Sequence, residues 1–211
     1  MAEKIIIVGG RSGTSVMARL LQSAGLMLWG DKGTEPNHLA ETIYKNVHKP
    51  EVIKNALLVD QDWQVAKCPE FAFCLPTLNE VYPNARYIWM IRPISERIAS
   101  HIKLNWHNVI HMRLMNNAAL RKFVEETTDS KTTGNAAYND GLYFTAQDIC
   151  LVRLFTERKI SWIDIKYSDL NDDFGSVMQS IADDLNLDYN ANIGGWKTIK
   201  SLKQQAGRWE K

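Results

Sequence analysis

Ile5-Ile6-Ile7-Val8-Gly9-Gly10-Arg11-Ser12-Gly13-Thr14-Ser15-Val16-Met17-Ala18-Arg19-Leu20-Leu21 decides the fold. Four consecutive β-branched residues read as a strand buried on both faces, the pattern of a parallel sheet inside an α/β protein. The glycine-rich turn runs straight into an amphipathic helix with Val16, Met17, Leu20, Leu21 and Ala24 on one side. A strand that turns sharply into a helix aims several backbone N–H groups and the positive end of a helix dipole at one point, so Gly9–Ser15 reads as an anion cradle. Glycine suits it because the backbone can take φ values closed to other residues and because no Cβ holds the anion away. Ser12, Thr14 and Ser15 add hydroxyl donors.

The nucleotide-hydrolase form of this loop carries lysine directly after its second glycine, then a Mg²⁺-binding hydroxyl. Here Thr14 fills the lysine position, and the nearby cation is Arg11, on the other side of Gly13. Hydroxyls and one cation without a Lys-Ser pair suit a monoester anion better than a Mg²⁺-bound triphosphate.

Outward from that loop, 211 residues at 45% hydrophobic predict one globular domain over 1–211 with enough chain for a three-layer core. A formal net charge of +1 gives no global pull toward nucleic acid or a membrane surface, so an anion must be held by a local cluster. Cys68, Cys74 and Cys150 show no C-x-x-C pairing and read as reduced, buried thiols of a cytoplasmic protein. Neither a signal peptide nor an apolar run long enough to span a membrane is expected.

Further strands are predicted at 63–67, 86–91 and 161–167, with helices over 71–82, from Pro93 onward, over 109–126, 143–158 and 173–186. Met27 to Asn46 reads as a glycine- and proline-bearing segment followed by a short helix with Glu35, His38 and Glu41. In the helix after Pro93, Ile94, Ile98 and Ile102 form the expected apolar stripe, with Arg97 and Ser100 on another. Thr127 to Asp140, rich in small and polar residues, reads as a mobile loop and as a lid. The alternation predicts an α/β fold: a mostly parallel central sheet, right-handed crossovers and helices on both faces. Lys67 and Arg92 then fall at carboxyl ends of strands, where open α/β sheets bind ligands.

These residues resemble the sulfotransferases that use 3′-phosphoadenosine 5′-phosphosulfate. Arg11-Ser12-Gly13-Thr14-Ser15 is similar to that family's 5′-phosphosulfate loop, and Arg92-Pro93 with Ser100 to its 3′-phosphate motif. Lys67-Cys68-Pro69-Glu70 resembles its central lysine strand, Lys166-Tyr167-Ser168-Asp169-Leu170 its tyrosine–acid–leucine strand end, and Gly207-Arg208-Trp209 its C-terminal cofactor loop. The resemblance spans nearly the whole chain. It implies the P-loop-like sulfotransferase fold and transfer of a sulfuryl group to an acceptor hydroxyl or amine, leaving adenosine 3′,5′-bisphosphate.

It also implies roles. Arg11, Ser12, Gly13, Thr14 and Ser15 would hold the phosphosulfate and Arg92 and Ser100 the 3′-phosphate, with Tyr167 and Arg208 closing on the nucleotide. Arg11 and Lys67 would stabilise charge in the transition state without a metal. The cytosolic small-molecule branch keeps a histidine base two residues after the central lysine, where this chain has Pro69. The resemblance is therefore nearer the bacterial and carbohydrate-acting branch, which takes a glutamate from the segment after the first helix. Glu41 matches that placement best, Glu35 second and His38 third. The implied acceptor is a small molecule or carbohydrate.

Two other classes stay open on the residues alone. A P-loop small-molecule kinase would need a Mg²⁺ carboxylate, for which Asp60 is the nearest candidate. A nucleotide-binding protein without turnover would keep the cradle and lose the chemistry.

Overall fold

The computed structural model describes residues 4–29, 37–59, 62–158 and 160–205. Strands β1 (Ile5–Val8), β2 (Val65–Lys67), β3 (Arg86–Ile91) and β4 (Trp162–Lys166) form one parallel sheet in the order β2-β1-β3-β4. Each predicted strand is present, β2 being shorter than its run because pairing begins at Val65. The chain leaves β1 for β2 on one side and returns to β3 on the other. A crevice for ligands therefore opens beyond the carboxyl end of β1.

Alternation along β1 distributes the core. Ile6 and Val8 join one apolar cluster, with α2 (Asn37–Lys45), α3 (Pro50–Leu57), α4 (Leu75–Val81) and α8 (Ala136–Arg158). Ile5 and Ile7 join a second, with α1 (Thr14–Ser23), α9 (Tyr167–Asp172), α10 (Phe174–Leu185) and α11 (Tyr189–Gln205). Helices on both faces of the sheet make three layers, as the strand–helix alternation predicts.

The intervening helices depart from expectation in instructive ways. Residues 71–82 divide into a 3₁₀ turn, Pro69–Phe73, and α4, because Pro76 lies in α4's first turn and fits a fresh helix start. Residues 109–126 divide into α6 (His107–Asn116) and α7 (Ala118–Thr128) at Asn117, whose side chain accepts the Leu120 N–H and caps α7. The loop predicted over 127–140 shrinks to seven residues, 129–135. Thr132 donates from backbone and hydroxyl to Glu125, and Asn139 accepts the Thr133 N–H, so the loop is tied at both ends. Asp140 is fully buried within α8.

Helix α5 (Ile94–Lys103) inverts the expected amphipathicity. Arg97, Ser100 and His101 are its buried residues, whereas Ile102 is half exposed. Long-range pairing explains it. Arg97 donates from one guanidinium nitrogen to both carboxylate oxygens of Asp148 at 2.8 Å and from the other to Gln147 at 2.9 Å. Burial lowers the Arg97 pKa and raises that of Asp148, while their mutual attraction works against both shifts. The final helix, α11, has no predicted counterpart. Trp196 anchors it, fully buried and donating its indole N–H to the Leu20 carbonyl at 2.8 Å.

Candidate active site

The β1–α1 turn takes the strained shape its composition allows. Gly9 sits at φ +109°, and a Cβ there would lie 2.4 Å from the Met90 carbonyl oxygen. Gly13 caps α1 at φ +89°, with a Cβ position 2.7 Å from the Tyr167 ring. Only glycine fits either place. Between them Arg11 is left-handed at φ +57°, a conformation costly for a side-chain-bearing residue and found at functional sites. The Val16 and Met17 N–H groups bond the Gly13 carbonyl, while the N–H groups of Thr14 and Ser15, in the first turn, have no intrahelical acceptor. Ser12 differs from the expectation for its side chain: fully buried, its hydroxyl donates to the Gly10 carbonyl at 3.1 Å and shapes the loop from within.

The sheet register brings the other predicted residues to the same edge. Lys67 ends β2 and pairs with Ile7, Arg92 follows β3, and Tyr167 follows β4. Lys67 Nζ donates to Ser15 Oγ at 3.0 Å, and an Arg11 terminal nitrogen donates to Ser100 Oγ at 2.7 Å. Arg92 lies over the Tyr167 ring, 4.5 Å from its centre, and donates to Glu96. Arg11, Gly13, Thr14, Ser15, Lys67, Arg92, Ser100 and Tyr167 all line one cavity of about 610 Å³. That size lies within the roughly 300–1,000 Å³ usual for ligand pockets.

Glu41, the predicted base, sits on α2, within electrostatic reach of Arg113 of the cavity wall. Its carboxylate accepts from Lys45 one turn along α2, a contact that lowers its pKa, and about half its side chain is exposed. Among the described residues, Glu41 is not part of the cavity wall. Glu35, Asp60 and Arg208 lie outside the described residues, as does the His38 side chain.

The carboxylate that the cavity does hold is Glu70, 3% exposed in the 3₁₀ turn after Lys67. It accepts from Arg113 at 2.8 Å, from the Tyr143 hydroxyl at 3.2 Å and from the Cys68 thiol at 3.3 Å. Burial opposes the Arg113 charge, yet Glu70 holds its pKa above the ordinary value. Burial, then Glu70, push Tyr143 well up. Gln147 links this floor to α5, donating to the Pro69 carbonyl at 2.8 Å while accepting from Arg97. A second cluster the sequence reading missed joins His101 to Asp140: Nδ1 and a carboxylate oxygen are 3.0 Å apart, both residues buried, with His101 on the cavity wall. Position after Ser100 was the one available hint for His101, and position after Pro69 for Glu70.

A model described as "Sulfotransferase family" matches residues 36–191, well over half of the chain. The chain belongs to that family. Of the curated proteins, none matches the chain. Among solved structures it is similar to the sulfotransferase domain from the curacin biosynthetic pathway, at 13% identity and a TM-score of 0.58, covering 89% of this chain and 75% of that one. It is also aligned with the sulfotransferase STF1 from Mycobacterium tuberculosis H37Rv, at 16% identity and a TM-score of 0.45, covering 100% and 77%. The curacin likeness establishes the fold, an α/β sulfotransferase fold of the P-loop-like kind. Among the described residues no helix is long and apolar enough to cross a membrane.

Proposed function

We propose that this chain transfers a sulfuryl group from 3′-phosphoadenosine 5′-phosphosulfate to a hydroxyl or amine of a small molecule or carbohydrate in the cytoplasm. The observation that carries the reading is the meeting of two anion-binding sets in one cavity: the β1–α1 loop with Arg11 and Lys67, and Arg92 with Ser100. Two sets in one cavity suit a nucleotide phosphorylated at both ends, and the donors are cationic, hydroxyl or backbone groups that take negative charge directly.

In this reading Gly13, Thr14 and Ser15 hold the 5′ end through helix-start N–H groups and hydroxyls, and Arg92 and Ser100 orient the remote 3′-phosphate. Arg11 and Lys67 stand where charge grows on the leaving oxygen and the sulfuryl oxygens, and as fixed donors they need no reorganisation when it does. Tyr167 holds Arg92 over its ring. The test is calorimetric titration of adenosine 3′,5′-bisphosphate against AMP without Mg²⁺. The bisphosphate should bind at least about tenfold more tightly, the equivalent of one charge-assisted hydrogen bond; equal affinities, or a Mg²⁺ requirement, overturn the donor assignment.

A further inference from the structure

The cavity continues past the anion-binding groups into a lobe between α5, α6 and α8. Its wall there includes Leu104, Trp106, Val109, Ile110 and Phe144. The apolar lining carries on outside: Leu104, Trp106 and Val109 are about half exposed, as are Ile102 and Met112 beside them. In that wall stands His101, edge-on to Phe144 and Trp106 with ring centres 5.0 and 6.3 Å away. Asp140 holds its Nδ1, and a carboxylate only accepts, so Nδ1 is the donor and in the neutral ring the lone pair lies on Nε2. Among the described residues Nε2 has no hydrogen-bond partner. The other oxygen of Asp140 is buried and unbonded, so this carboxylate is committed to His101.

We propose that this lobe is the acceptor site, that it takes a hydroxyl carried on an apolar body, and that His101 is the base that deprotonates it. The proposal rests on the sulfotransfer reading above. An apolar wall rewards burial of hydrocarbon or aromatic surface and leaves the many hydroxyls of a sugar without partners. Arg11 of the phosphosulfate loop lies over the Trp106 ring of this wall, 5.1 Å from its centre, so the lobe adjoins the reacting end of the donor. As the acceptor oxygen bonds to sulfur, the bond from sulfur to the donor's phosphate oxygen breaks. That electron pair leaves with adenosine 3′,5′-bisphosphate, and the acceptor proton passes to His101 Nε2. Asp140 acts as a positioning residue, fixing the tautomer and ring orientation, the role a carboxylate plays behind a catalytic histidine. Arg11, Lys67, Arg92, Lys103 and Arg113 are the cations sharing the cavity, and Glu70 is the carboxylate among its described lining residues.

Three measurements test this on the full chain. First, ¹⁵N histidine spectra should show the neutral His101 ring as the Nδ1–H tautomer, and Asp140→Asn should abolish that preference; an Nε2–H tautomer in the wild type overturns the base assignment without any turnover. Second, with ³⁵S-labelled donor, 2-naphthol and 1-octanol should be sulfated at least about tenfold faster than maltose at equal concentration. A preference for maltose, or no transfer to either apolar alcohol, overturns the acceptor class. Third, His101→Asn retains an N–H toward Asp140 and removes Nε2. It should lower kcat for 1-octanol by roughly 10²–10⁴-fold, the usual contribution of a base, and remove the acid limb of the rate profile. KM and bisphosphate affinity should stay within about threefold, well short of the tenfold that one lost charge-assisted hydrogen bond costs. A kcat near wild type overturns the proposal, whereas failure of the wild type to bind bisphosphate overturns the donor reading instead.

Discussion

Arg11 donates to Ser100 Oγ across 2.7 Å, joining the β1–α1 loop to helix α5 from 89 residues away. The same guanidinium lies 5.1 Å from the Trp106 ring centre, so one side chain of the β1–α1 loop touches both α5 and the α5–α6 connection. A left-handed backbone at Arg11 directs it there. The β1–α1 loop and helix α5, distant in sequence, thus share one hydrogen bond, and the position of either bears on the other.

Arg92→Ala should lower affinity for adenosine 3′,5′-bisphosphate far more than for AMP. A lost charge-assisted hydrogen bond costs about 1.5–3 kcal/mol, on the order of ten- to a hundredfold in affinity. Calorimetry on both nucleotides checks it. Equal losses for the two would mean that Arg92 serves the loop and not the 3′-phosphate.

Arg97→Met should destabilise the fold by about 3 kcal/mol, the low end for breaking a buried ion pair, because Asp148 keeps some contact with solvent. Urea unfolding measures it. The loss also frees Gln147, which spans Arg97 and the Pro69 carbonyl, so the floor beside Lys67 should loosen and Lys67-dependent turnover should fall with stability. A change under about 1 kcal/mol, the scale of an exposed pair, would show that the pair acts as one.

Trp196→Ala should cost roughly 3–5 kcal/mol, the usual penalty for emptying a buried aromatic site, while the Leu20 carbonyl keeps its bonds from Ser23 and Ala24. Trp196→Phe should cost less, since it restores most of the volume and only the hydrogen bond is missing. Equal costs would mean that the N–H, and not the packing, secures α11.

The four strands were legible because short runs rich in β-branched and aromatic residues between glycine, proline and polar breakers have few other readings. The β1–α1 loop was legible for the same local reason. What escaped was nonlocal. Arg97 on a buried helix face contradicts any apolar-stripe rule until Asp148, 51 positions later, is known to meet it. Asn139-Asp140-Gly141 reads as a turn in isolation, yet Asn139 and Asp140 sit inside α8 because His111 and His101 satisfy them. Glu70 looked like an ordinary charge after a proline, and its weight comes from Arg113 and Tyr143, 43 and 73 residues away. Helix α11 went unread because Gly194 and Gly195 interrupt its apolar pattern around Trp196.

The loop over 129–135 should weaken at acid pH. Hydrogen bonds from the Thr132 hydroxyl and backbone N–H lower the Glu125 pKa below its ordinary 4.5. A lowered carboxylate pKa stabilises above the unfolded value, and that contribution is lost as pH falls through the folded one. Hydrogen exchange at the Thr132 amide, corrected for its intrinsic rate, should therefore lose protection below pH 4.5 while core amides keep theirs. A protection factor flat through that range would place the anchor elsewhere.

Glu41→Gln should change turnover less than threefold, whereas Lys67→Ala should lower kcat by roughly 10²–10³-fold, the usual result of removing a preorganised donor. Both are polar side chains in segments the family resemblance made functional, and geometry separates them. Glu41 is bonded to Lys45 on the exposed side of α2, and taking a proton from an acceptor in the cavity would require it to leave that partner and reach a wall it does not line. Lys67 already stands at the end of β2, 3.0 Å from Ser15 Oγ in the anion loop. Steady-state rates with bisphosphate affinity measured alongside check the pair. A loss of a hundredfold or more in Glu41→Gln, with affinity intact, would return the base to α2 and remove it from His101.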